Sequence, residues 1–117
     1  MPIKIGGDTL ALDRDIRRLI EAEAAKLAAR FPGDELEANA TIQEEFDPLH
    51  GHRVRCELAA KLTHGRPVIV RGAHKTASEA INEVFNLARR NLRRARRSVV
   101  HPATSKSATF GATAVGG

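Results

Sequence analysis

Two periods of apolar and polar residues alternate along this chain, and the changes of period divide it into six elements. Ile3 and Ile5 flank Lys4 at the spacing of a strand, which Gly6-Gly7 is expected to end. Ile16, Leu19, Ile20, Ala24, Leu27 and Phe31 then recur every three or four residues, the stripe of a helix that Asp13 caps and Pro32-Gly33-Asp34 stops. Period two returns in Leu36, Ala38, Ala40 and Ile42, set between Glu35, Glu37, Asn39, Thr41 and Gln43. After a loop over residues 46–51 it returns again in Val54, Cys56, Leu58, Ala60 and Leu62, set between Arg53, Arg55, Glu57, Ala59 and Lys61. One polar side is mostly acidic and the other mostly basic, as antiparallel neighbours with a solvated face would be. A turn over residues 63–66 leads to a fourth strand, Val68-Ile69-Val70, whose inward face the pattern leaves open.

The last element is a second helix. Thr76-Ala77-Ser78-Glu79 is a capping-box sequence, with a hydroxyl at the N-cap and a carboxylate three residues on. Ala77, Ala80, Ile81, Val84, Phe85, Ala88, Leu92 and Ala95 share one face of the helix it opens. Over residues 77–97 that helix would be about 31 Å long. The order β-α-β-β-β-α predicts an α+β domain with both helices packed on one face of a four-stranded, mainly antiparallel sheet. Residues 1–98 form that domain, and 99–117, small and weakly patterned, read as a disordered tail.

Charge changes this picture. The chain has 117 residues and a net charge of +5, yet all 14 acidic residues lie at or before Glu83. Beyond it come Arg89, Arg90, Arg93, Arg94, Arg96 and Arg97. At 100° per residue these arginines fall opposite the apolar stripe, within an arc of about 160°. A charge run on a helix is ordinarily a solvated face, but such faces mix the two signs. A fan of guanidinium groups without carboxylates suits an array of phosphates, because each one neutralised releases condensed counterions.

Composition narrows the classes further. Hydrophobic residues make up 42% of the chain, enough for an aliphatic core, while 3% aromatic residues disfavour base stacking on aromatic platforms. The lone Cys56 forms no internal disulfide and reads as a small core residue. With no apolar run of ~20 residues and no apolar leader, the expected location is the cytoplasm, without membrane contact. His50, His52, His64, His74 and His101 lack the spacing of a zinc site. Gly6-Gly7 lacks the companions of a phosphate loop, and Glu44, Glu45 and Asp47 are commonplace acids at a strand end. No catalytic constellation is present, so no enzyme activity, metal, cofactor or small-molecule substrate is expected.

The element order, with Ala77-Ser78-Glu79-Ala80-Ile81-Asn82 leading to Leu87-Ala88-Arg89-Arg90-Asn91-Leu92-Arg93-Arg94, resembles the ribosome hibernation-promoting factor family, also called ribosome-associated inhibitor or sigma-54 modulation protein. The opening Ile3-Lys4-Ile5-Gly6-Gly7 is similar as well, and the resemblance spans roughly residues 2–98. It implies a fold like the double-stranded-RNA-binding domain. It also implies binding in the neck of the small ribosomal subunit, where mRNA and tRNA would lie, through basic side chains on both helices against ribosomal RNA. On matching positions this points to Lys26, Arg30 and Lys75 beside the six arginines of the second helix. The loop over residues 46–52 is more elaborate than the family's short hairpins, and the second helix is all arginine where lysine is frequent. The tail is too short for the separate dimerisation domain of the family's long type, so a monomer of the short type is expected. The function implied is translation inhibition by occupancy of the mRNA–tRNA channel. The alternatives are a general structured-RNA-binding module and a protein-interaction adaptor.

Overall fold

The structure is a computed structural model. It describes residues 3–100, with the side chains of 97–100 outside that description. The elements are β1 (Ile3–Gly7), α1 (Arg14–Ala29), β2 (Leu36–Asp47), β3 (Gly51–Leu62), β4 (Val68–His74) and α2 (Ala77–Val100), with a 3-10 turn at Thr9–Leu12 before α1. The strands form one sheet in chain order. β1 runs parallel to β2, with Ile5 beside Ala40, and the other two pairings are antiparallel, with Ala40 opposite Leu58 and Leu58 opposite Val70. The expected β-α-β-β-β-α order is therefore the observed one, on a mixed sheet.

Both helices cover the same face of the sheet. Ile20, Ala24 and Leu27 of α1 and Ala80, Ile81, Val84, Phe85, Ala88 and Leu92 of α2 join Ala38, Ala40, Ile42, Cys56, Leu58, Ala60 and Leu62 in one buried cluster. Fully burying a large aliphatic or aromatic side chain contributes about 1.5–3 kcal/mol, so Ile20, Ile42, Leu58, Leu62, Ile81 and Leu92 are among the largest contributors to the cohesion between helices and sheet. In β4, Val70 faces this core and Ile69 the solvated side, which settles the face that pattern left open.

The caps follow the sequence, except that Glu79 meets the Thr76 hydroxyl where a full capping box would have it reach the Thr76 amide. Asp13 Oδ1 accepts from the Ile16 amide at 3.0 Å. Thr76 Oγ1 accepts from the Glu79 amide at 3.2 Å and donates to Glu79 Oε1 at 3.0 Å, so the Glu79 carboxylate meets the cap's hydroxyl.

Several boundaries differ from expectation, and β4 runs four residues past Val70 to His74. β1 continues through Gly6 and Gly7, which pair with Thr41 and Ile42. The 3-10 turn has no periodic signature; Asp8 organises it by accepting from the amides of Leu10 and Glu44. The elaborate loop expected over residues 46–52 is a tight hairpin, with Asp47 opposite Gly51. Its turn closes through the His50 amide on the Asp47 carbonyl, followed by Gly51 at φ +77°, where glycine meets no steric penalty. Finally, α2 extends through Val99 and Val100, the first two residues of the expected tail. The remaining tail, 101–117, lies outside the described residues.

Candidate nucleic-acid interface

Most positive charge on the sheet's solvated face is already matched. Arg53 Nη2 and Arg55 Nη1 lie 3.3 and 3.5 Å from the two oxygens of Glu45, and Arg71 Nε donates to Glu57 Oε1 at 3.1 Å. Lys61 stands directly opposite Glu37. These cross-strand pairs follow from the opposed charge of the two strands. They leave that face with little to offer a polyanion.

The helical side is different. Lys26, Arg30 and Arg89 are brought together along a groove between α1 and α2 that also contains Glu23, Leu27, Phe85 and Asn86, with a volume of about 130 Å³. Lys26 is exposed and its Nζ is 3.2 Å from Glu23 Oε2, an exposed i,i+3 pair worth at most about 1 kcal/mol and easily exchanged for a phosphate. Arg30 sits at the C-cap of α1, where a cation complements the helix dipole. Arg89 is half-buried at the groove's edge, while Arg90 and Arg93 stand exposed on the crest of α2. Arg94 is also exposed, and its Nη2 donates to Asn91 Oδ1 one turn back. The last acid of the chain, Glu83, turns towards β4, where its Oε1 is 2.7 Å from His74 Nε2.

Two of the expected residues stand apart. Lys75 lies before the first turn of α2, about 20 Å along the helix from Arg89. Arg96 is already engaged: its Nε is 3.0 Å from Oδ2 of Asp34, whose side chain is wholly buried. Asp34 Oδ1 also accepts from the His64 amide at 3.1 Å and lies 3.0 Å from His64 Nδ1. Burial pushes the Asp34 carboxyl up; the bonds from His64 and the charge of Arg96 outweigh it and hold it below the ordinary carboxylate value. The Arg97 side chain falls outside the described residues.

Sequence reasoning missed Glu23 and Asn86 in the groove and the Asp34–His64–Arg96 cluster. Helical spacing could have supplied the first two, since Glu23 and Asn86 each lie three residues before a groove cation, Lys26 and Arg89. No local signal links Asp34, read as a turn residue, to a helix end far along the chain.

Histidines do not assemble a metal site among the described residues, where no three His, Cys, Asp or Glu side chains are grouped to hold an ion. His50 and His52 each meet a separate carboxylate, Asp47 and Glu44, both at 3.0 Å. Among the described residues, no helix is long and apolar enough to cross a membrane.

These features define a small α+β domain that matches charge on its sheet and displays unmatched arginine on its helices. The chain belongs to the sigma 54 modulation protein / S30EA ribosomal protein family, whose pattern matches residues 3–99. Among solved structures, it is similar to the N-terminal domain of Protein Y from Thermus thermophilus, with a TM-score of 0.67 and 24% identity over 80% of this chain and 98% of that one. It is also similar to a ribosomal subunit interface protein from Coxiella burnetii, with a TM-score of 0.60 and 13% identity over 80% of this chain and 96% of that one. No curated protein sequence matches the chain.

Proposed function

We propose that this protein binds the small ribosomal subunit and inhibits translation by occupying the channel of mRNA and tRNA, as a hibernation factor. The observation that carries the reading is the exposed face of α2, where Arg90, Arg93 and Arg94 stand without a carboxylate partner beside the groove that Lys26, Arg30 and the half-buried Arg89 line together with Glu23. Phosphodiesters of ribosomal RNA are the complementary ligand, since guanidinium binds phosphate through paired, charge-assisted hydrogen bonds. Family membership and the subunit-interface description of the Coxiella burnetii neighbour support the ribosome as the source of that RNA. Inhibition on this reading is steric and electrostatic, with no bond made or broken, and the protein works in the cytoplasm.

The test is sedimentation with purified small subunits, alongside cell-free translation. Binding should weaken by about 10³-fold between roughly 50 and 200 mM salt, as six or more phosphate contacts require, and translation should stop near one protein per ribosome. Arg89→Glu/Arg90→Glu/Arg93→Glu should abolish both effects and leave the fold intact. Arg53→Glu/Arg55→Glu, on the sheet face, should bind nearly normally. Salt-independent binding, or full translation on saturated ribosomes, would overturn the reading.

A further inference from the structure

On the flank of α2 away from α1 lies a second cleft, between α2 and the edge strand β4. Arg66, Pro67, Val68, Ile69, Asn91, Arg94 and Ala95 line its volume of about 440 Å³, and no carboxylate is among them. Arg66 and Arg94 are both exposed, and among the described residues neither is paired with an acid. Arg94 spends one of its five N–H donors on Asn91 and keeps the rest for a ligand. The nearest acid on α2, Glu83, is about 16 Å back along the helix and engaged with His74.

The position of Arg66 is built in. It follows the turn between β3 and β4, and that turn is held at both ends. His64 is bonded through its amide and its ring to Asp34, which in turn meets Arg96 of α2. Gly65 lies so close to α2 that a Cβ placed on it would stand 3.6 Å from the backbone N and Cα of Arg96. The Asp34 cluster thus clamps the turn to the helix and sets Arg66 beside Arg94.

We propose that this cleft is a second phosphodiester-binding groove, formed by Arg66 and Arg94, so that α2 inserts between two segments of RNA backbone. The inference rests on the ribosome-binding reading and extends it to a residue, Arg66, outside the arginine helix. Its geometric basis is the separation of the two grooves. Arg89 and Arg94 lie about 140° apart around α2, on opposite flanks of a helix about 10 Å across with its side chains. One backbone segment cannot occupy both flanks; two can, with Arg90 and Arg93 on the crest between them. Charge decides between RNA and a peptide added along β4: two unmatched guanidinium groups without an acid favour phosphate.

The experiment measures binding of the full chain to purified small ribosomal subunits across a salt series. Wild type is compared with Arg66→Ala, Arg66→Glu, Arg66→Lys and Arg89→Glu/Arg93→Glu, and melting curves are recorded for each. Arg66→Ala should bind roughly tenfold more weakly at low salt, with a log–log salt slope shallower by about 1 and an unchanged melting temperature. Arg66→Glu should lose more, and Arg66→Lys should recover part of the affinity. If Arg66→Ala and Arg66→Glu bind like wild type while Arg89→Glu/Arg93→Glu does not, the second groove falls and the ribosome-binding reading stands. If wild type itself does not bind, both fall.

Discussion

Arg96 Nε lies 3.0 Å from Oδ2 of the buried Asp34, so one arginine of the basic helix faces a carboxylate contributed by the turn after α1. The six arginines of α2 are alike in the sequence, and the five whose side chains are described are unlike in the fold. Arg89 lines one groove, Arg94 the other, Arg90 and Arg93 stand on the crest, and Arg96 joins the helix end to two turns.

Arg96→Ala should therefore behave as a stability variant. Removing it strips a buried carboxylate of its cation and leaves His64 alone to hold it, so the melting temperature should fall. Ribosome binding should weaken only as far as the loosened β3–β4 turn frees Arg66, by less than Arg66→Ala itself costs. Arg93→Ala should do the reverse, leaving melting unchanged and making the slope shallower by about 1. Melting curves and salt titrations on the two variants check this, and a swap of the two phenotypes would move Arg96 into the interface.

Acid should weaken the fold below about pH 4 through three carboxylates. Asp47 is held at about 2 against an ordinary 3.8, chiefly by its hydrogen bond with His50 and then by the Leu49 amide. Asp8 is lowered by the amides of Glu44 and Leu10, and Asp34 is lowered as described above. A carboxyl lowered in the folded state contributes its full stability above the unfolded value and loses it as pH falls through the folded one. Melting temperature should thus be flat in these groups above about pH 4 and drop between there and about pH 2. Asp47→Asn should remove part of that dependence.

Glycine is required at position 7 and dispensable at position 6. Gly7 has φ +134°, and a Cβ there would stand 1.9 Å from the carbonyl oxygen of Ile42 on the paired strand. Gly7→Ala must push β1 away from β2 and should cost about 3 kcal/mol or more. A Cβ at Gly6 meets nothing within 4 Å, so Gly6→Ala should stay within about 0.5 kcal/mol of wild type. Denaturant unfolding of both variants checks the contrast.

Cys56 should resist thiol reagents in the folded protein. Its side chain is fully buried, and burial, with a smaller effect from the charge of Glu57, raises the thiol to about 11. At pH 8 almost none is thiolate, and no reagent reaches it without unfolding. Labelling should be negligible in buffer and complete in denaturant.

Much of this protein was legible in its residues because the informative signals are local. Asp13 and Thr76 cap their helices, and period two in β2 and β3 puts Ala40 and Leu58 inside and Thr41 and Glu57 outside, because backbone geometry alone decides which side chains share a face. The concentration of arginine after Glu83 was equally visible. Less legible was the hairpin tip, where Phe46 continues the strand in an exposed position and looked like loop. The 3-10 turn was invisible because its organiser, Asp8, works through the amide of Glu44, which folding alone brings near.

From sequence alone came the element order, the buried stripes, the caps and the sign and place of the charge. Each is a matter of propensity, period or composition within a short stretch. Tertiary structure decided which cations remain available: it matched Arg53, Arg55 and Arg71 to acids across the sheet, buried Asp34 against Arg96, gathered Lys26, Arg30 and Arg89 from two helices, and set Arg66 beside Arg94. Coulomb energy depends on separation in space and on exclusion of water, and spacing along the chain specifies neither.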